Sequence, residues 1–124
     1  MRIVDTCVVV DVLRGYAPAV AWFCKQRLLC IHGVTELELH DGFREAKARA
    51  GVRNLLTALP VIDPTELDFA TTRKLTAELI SRRSVKWADL LIATTAKRMN
   101  AEVVTRNARD FRVVKGLRVA VPYT

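Results

Sequence analysis

The chain has 124 residues, 51% of them hydrophobic, and carries 20 Lys and Arg against 13 Asp and Glu, a net charge of +7. That length supports one core over residues 1–124 rather than two, and the apolar content excludes an intrinsically disordered chain. No apolar run reaches the roughly 18 residues of a membrane span, and Met1-Arg2 leads directly into apolar sequence without a leader, so a cytoplasmic protein is expected.

In chain order, residues 2–4 read as a first strand and 8–14 as a helix that Gly15 ends. A second helix is expected over 17–26, where Pro18 is tolerable in the first turn. Residues 28–31 form an apolar run of strand length, and Gly33 marks a turn. Residues 35–59 read as helical with a break near Gly51, and Val61-Ile62 as a short third strand. Asp63 is the expected N-cap of the next helix, with Pro64 at its first position and its end near residue 82. A strongly apolar helix over 87–99 follows, then strands over 102–105 and 117–121 joined by the loop "RNARDFRVVKG". Strands alternating with helices predict a three-layer α/β/α sandwich around a central, mainly parallel sheet, Rossmann-like in class.

Cys7, Cys24 and Cys30 are odd in number and lack Cys-x-x-Cys spacing, which argues for reduced thiols rather than a disulfide framework or a zinc site. The charge is uneven: residues 1–72 sum to −1 and residues 73–124 to +8. A one-sided basic surplus favours a polyanionic partner, nucleic acid first.

Ligands of open parallel sheets sit at the carboxyl ends of the strands. Asp5 directly follows the first strand, and Asp110 lies in the loop after "EVVT", with Thr105 and Asn107 at the same edge. Glu38 falls in the first turn of the helix after the second strand, and Asp89 in the first turn of "WADLLIATTA". Each acid has a structural reading of its own. Thr35-x-x-Glu38 matches a capping box, Asp89 suits a helix N-terminus, Asp110 suits an Asx turn, and Asp5 suits a cap. Four acids at one edge repel one another unless a cation joins them, and hard oxygen ligands suit Mg²⁺ or Mn²⁺ rather than zinc.

"VDTCVVVDVLRG", "TELELHDG", "ADLLIATTA" and "VTRNARDF" resemble, in order and spacing, the motifs of PIN-domain ribonucleases, and most closely those of the VapC toxins of VapBC toxin–antitoxin pairs. The opening D-T-S of the family stands here as Asp5-Thr6-Cys7, with a thiol in place of the usual hydroxyl. The E-L-x-x-G motif falls on Glu38 to Gly42 and so selects Glu38 over Glu36. D-x-L-I-A-A-T-A corresponds to Asp89 through Ala96, and T-R-N-x-x-D-F to Thr105 through Phe111. Asp11 matches an acid many members carry, but an exposed helix face explains it equally well.

The resemblance implies an endoribonuclease in which Asp5, Glu38, Asp89 and Asp110 hold one or two Mg²⁺ or Mn²⁺ ions, partly through water. Water acidified there would attack phosphorus in line, leaving a 5′-phosphate and a 3′-hydroxyl. Thr6 would support the site, and Thr105 and Asn107 would position oxygens. Arg82, Arg83, Lys86, Arg106, Arg109 and Arg112 are the expected RNA contacts. A homodimer and a small VapB-type antitoxin covering the site are implied as well. The alternative is a PIN-like module that binds RNA or protein without cleaving. Trp87 is the only aromatic expected near the rim.

Overall fold

The computed structural model describes residues 1–79, 81 and 85–124. In chain order these form β1 (Arg2–Val4), α1 (Thr6–Leu13), α2 (Ala17–Cys24), β2 (Leu29–His32), α3 (Gly33–Gly42), α4 (Ala46–Ala58), β3 (Val61–Ile62), α5 (Glu66–Leu79), α6 (Trp87–Arg98), β4 (Glu102–Val104), α7 (Ala108–Phe111) and β5 (Arg118–Ala120). The five strands make one sheet in the order β3-β2-β1-β4-β5, and all four pairings are parallel. Helices cover both faces, giving the expected three-layer sandwich. No single helix among the described residues is long and apolar enough to cross a membrane.

The period of two along the strands divides the core between these layers. Ile3, Cys30 and Val103 point into a cluster with Leu90, Ile92, Ala93 and Phe111, on the side of α6 and α7. Val4, Leu29 and Ile31 point the other way, to Val8, Val9, Leu39 and Val52 of α1, α3 and α4. The chain lays down β1, β2 and β3 in one direction and then returns to place β4 on the other side of β1. That reversal opens a crevice at the carboxyl ends of β1 and β4, the position where open α/β sheets bind ligands.

Several expected boundaries move. Gly33 begins α3 rather than marking a turn. A Cβ there would lie 2.6 Å from Asp63 Oδ1, so close packing against the end of β3 explains the glycine. The long helical stretch breaks at residues 43–45, not at Gly51, which is inside α4. α5 is capped by Thr65 instead of Asp63: the Asp68 N–H donates to Thr65 Oγ1 (3.2 Å) and the Thr65 N–H to Asp68 Oδ2 (2.8 Å), a reciprocal box that satisfies two helix-end donors. The segment before β5 is not wholly loop, because α7 interrupts it.

His32 is fully buried at the end of β2. Its Nδ1 accepts from the Val34 N–H (3.0 Å) and caps α3, which leaves Nε2 to carry the proton and donate to Thr95 Oγ1 (3.0 Å). Burial pushes its pKa down to about 4, against the opposing pull of Asp68 and Asp63. A neutral imidazole built into the core in this way is a structural histidine.

Candidate active site

Asp5 is the N-cap of α1 and is only 3% exposed. Three donors converge on its carboxylate. The Thr6 N–H reaches Oδ1 at 2.8 Å, while Thr105 Oγ1 (2.7 Å) and Cys7 Sγ (3.2 Å) reach Oδ2. Thr105 is itself fully buried, and its hydroxyl accepts from the Asn107 N–H (2.9 Å), so its one proton is directed to Asp5. The segment after β4 is thereby tied to the segment after β1. Asn107 contributes through its backbone, and its side chain makes no cap bond.

Glu38 sits in the second turn of α3, since that helix starts at Gly33. It is no capping-box residue. Thr35 is buried within the helix, and its hydroxyl pairs with Thr6 Oγ1 (2.9 Å), which in turn pairs with Glu38 Oε1 (2.8 Å). A hydroxyl has a single proton to give, so Thr35 donates to Thr6 and Thr6 donates to Glu38. The link from Thr35 was missed because the Thr-x-x-Glu spacing also reads as a cap. Glu36 faces elsewhere and pairs with His40 at 3.3 Å.

Asp89 lies in the first turn of α6. Its carboxyl is pushed up to about 6, by burial first, then by the charges of Asp5 and Glu38, with Lys86 opposing and Asp110 adding to the rise. Asp110, half-buried in the first turn of α7, completes the group. The four expected acids therefore share one electrostatic neighbourhood. They do not form a finished coordination sphere. Among the described residues, no three His, Cys, Asp or Glu side chains stand close enough to hold one ion directly. In charge and donor type the residues still fit a hard divalent cation, because mutually repelling carboxylate oxygens are its natural ligands and water can bridge the remaining distance.

Cys7 donates to Asp5 from the position where the resemblance puts a hydroxyl. Its thiol is pushed up to about 11, chiefly by burial and then by the Asp5 charge, so it stays protonated at neutral pH. Arg106 is less free than expected, since its Nε is 2.9 Å from Asp11 Oδ2. The same Asp11 oxygen accepts from the Tyr123 hydroxyl (2.6 Å), whose ring meets Tyr16 edge-on at 5.8 Å. Asp11 and Tyr123 thus fasten the chain end to α1, a role that an exposed helix face did not suggest. Lys86, Arg109 and Arg112 are exposed, whereas Arg82 and Arg83 lie outside the described residues. A cavity of about 690 Å³ beside the Asp68–Arg98 ion pair contains none of the four acids, and one of about 430 Å³ includes Glu38.

The family model for the PIN domain matches residues 2–117. No curated protein matches the chain. Among solved structures it is similar to a chain of a toxin–antitoxin complex from Klebsiella pneumoniae, with 24% identity, coverage of 99% of this chain and 98% of that one, and a TM-score of 0.79. A DNA-bound VapBC from Salmonella typhimurium gives 24% identity over 95% of each chain at a TM-score of 0.79. VapBC-1 from nontypeable Haemophilus influenzae gives 23% over 95% of each at 0.78. At these identities the likeness establishes the fold.

Proposed function

This chain belongs to the PIN domain family, and from that premise we propose that it is a divalent-metal-dependent endoribonuclease of the VapC toxin type, restrained by a VapB-type antitoxin. The observation that carries the reading is the buried Asp5 carboxylate at the crevice where the sheet order reverses, held by three donors and near enough to Asp89, as Glu38 is, for their charges to repel. Such repulsion serves no structural end and is relieved by a cation. The similar toxin–antitoxin complexes support the antitoxin. A homodimer and a cytoplasmic setting belong to the same proposal.

Mg²⁺ or Mn²⁺ bound by Asp5, Glu38, Asp89 and Asp110 would supply acidified water for attack on phosphorus and positive charge for the leaving oxygen. The side chains of the protein do the rest. Three donors prevent the Asp5 carboxylate from rotating, and the Thr35–Thr6 relay fixes Glu38. Without a metal, Asp89 is mostly ionised at neutral pH and takes up a proton near 6, so protons should compete with the cation and the Mg²⁺ needed for cleavage should rise as pH falls. The protonated Cys7 thiol orients Asp5 as a hydroxyl would, which favours an active site over an impaired one.

The test is cleavage of single-stranded RNA by the purified chain with Mg²⁺, with a chelator, and in Asp5→Asn. Cleavage is expected under the first condition and in neither of the others. RNA that binds but stays intact with both Mg²⁺ and Mn²⁺ replaces the proposal with a non-cleaving binding module.

Binding should also be strongly salt-dependent, because phosphate neutralisation releases counterions at a slope of about −0.7 per contact on single strands. Arg109 and Arg112 are exposed beside Asp110, while Arg106 is held by Asp11. Neutralising Arg109 and Arg112 together should flatten the slope by up to about 1.4, and Arg106→Gln should change it less. Salt titrations that show no difference between these variants and the wild type would remove both arginines from the RNA path.

A further inference from the structure

We propose that the cavity between α5 and the start of α6 is a nucleobase subsite, in which the exposed Trp87 indole stacks on the base next to the phosphate that the acids act on. This rests on the ribonuclease reading above and adds to it where the neighbouring nucleotide sits. The cavity, about 430 Å³, has apolar walls from Leu79, Val85 and Leu90 and also includes Glu38, Lys86 and Trp87. Glu38 is the carboxylate held by Thr6, so anything seated there adjoins the acid cluster.

Trp87 is 62% exposed at the first turn of a helix whose residues from Leu90 to Ala96 are buried. The ring is not spent on the core of its own chain, and it stands next to the Lys86 cation. A ligand that satisfies both is flat, apolar on its faces and negatively charged alongside, which describes a nucleotide. Lys86 favours a ligand that carries an anionic backbone beside its flat face, and a cation held at the acids would offset the Glu38 charge.

The pattern repeats once. Trp87 also lines a second cavity of about 470 Å³ with Phe69, 47% exposed, and Arg73. Aromatic surface paired with a cation in two adjoining cavities matches a path for single-stranded RNA leading away from the acids. An indole stacks on the face of any base, so stacking on Trp87 should require a base without selecting which one.

The experiment compares Trp87→Ala and Trp87→Phe with the parent chain. In an Asp89→Asn background, which holds RNA intact, a single-stranded oligonucleotide should quench tryptophan fluorescence. Trp87→Phe should bind nearly as well with the Trp87 part of the quench gone. Trp87→Ala should lose about 5- to 160-fold in affinity, the range measured for one base–aromatic stack. In the active chain with Mg²⁺, Trp87→Ala should act mainly by raising KM. Placing an abasic nucleotide at successive positions should reproduce the loss at one position beside the cleaved bond and add nothing to it in Trp87→Ala. Cleavage and binding that are intact in Trp87→Ala overturn the subsite while leaving the ribonuclease reading in place. A Trp87→Ala variant that dissociates a dimer in light scattering, with RNA affinity per chain unchanged, assigns the surface to a second copy instead. A wild type that neither binds nor cleaves RNA removes the subsite together with the reading beneath it.

Discussion

Glu38→Gln is expected to lower kcat/KM for RNA cleavage by at least about 100-fold, the scale of losing a directly acting carboxylate, whereas Glu36→Gln should leave most activity. Two residues apart on a helix, these side chains point about 200° from each other, so only one can face the crevice. The hydrogen bonds divide them in the same way. Glu38 is reached from α1 through Thr6, while Glu36 is occupied by His40 on its own helix. Because Glu38 is exposed and makes no core contact, its amide should leave the melting temperature close to that of the wild type. Single-turnover rates with Mg²⁺, alongside thermal melts of both variants, decide the matter. Activity lost in Glu36→Gln and kept in Glu38→Gln would place the α3 acid on the wrong face.

The second large effect is on stability, where the buried His32 and the half-buried Asp89 oppose each other in one pH window. Asp89 is raised from 3.8 to about 6, so between those values the folded chain holds a proton that the unfolded chain has released. Stability from this group is therefore lost as pH rises through the window. His32 is lowered from 6.5 to about 4, so there the unfolded chain holds a proton that the folded one excludes. Stability from this group is gained as pH rises. Each shift corresponds to something on the order of 3 kcal/mol, with opposite sign. Asp68, which Arg98 holds below its ordinary 3.8 despite burial, acts only beneath this range.

In chelator, the wild type should therefore show a nearly flat urea-denaturation profile from pH 4 to 6.5. Asp89→Asn should unmask the His32 slope and climb by about 3 kcal/mol, ending above the wild type at pH 7. His32→Asn, whose amide oxygen can still cap α3, should slope the other way. Mg²⁺ at a hundredfold excess over its dissociation constant should stabilise the wild type by about 2.7 kcal/mol, and Asp89→Asn should lose most of that gain. If Asp89→Asn is less stable than the wild type at pH 7, or keeps the full metal response, the shared-cation reading is wrong.

The alternation of apolar strands and amphipathic helices was sufficient by itself to determine the layered α/β class, because burial on two sheet faces leaves a local period in the chain. Local order also made Asp5 legible, as an acid that follows a strand cannot enter the core without partners. The family motifs, read in register, singled out Glu38. What local pattern did not carry was any feature settled by distant neighbours. Gly33 looked like a turn until β3 placed Asp63 against it, whereas the Thr65 cap is a local Thr-x-x-Asp box that the reading of Asp63 passed over. Asp11 looked like a solvated face until the chain end brought Tyr123, and the segment after β4 brought Arg106, to it. The acids themselves are spread from residue 5 to residue 110, and their meeting depends on β4 returning beside β1. Residue types and spacing determined which chemistry was available, but only the tertiary structure could decide which groups share it. Hydrogen bonds and charge repulsion act over a few ångströms of space, and sequence separation does not record that distance.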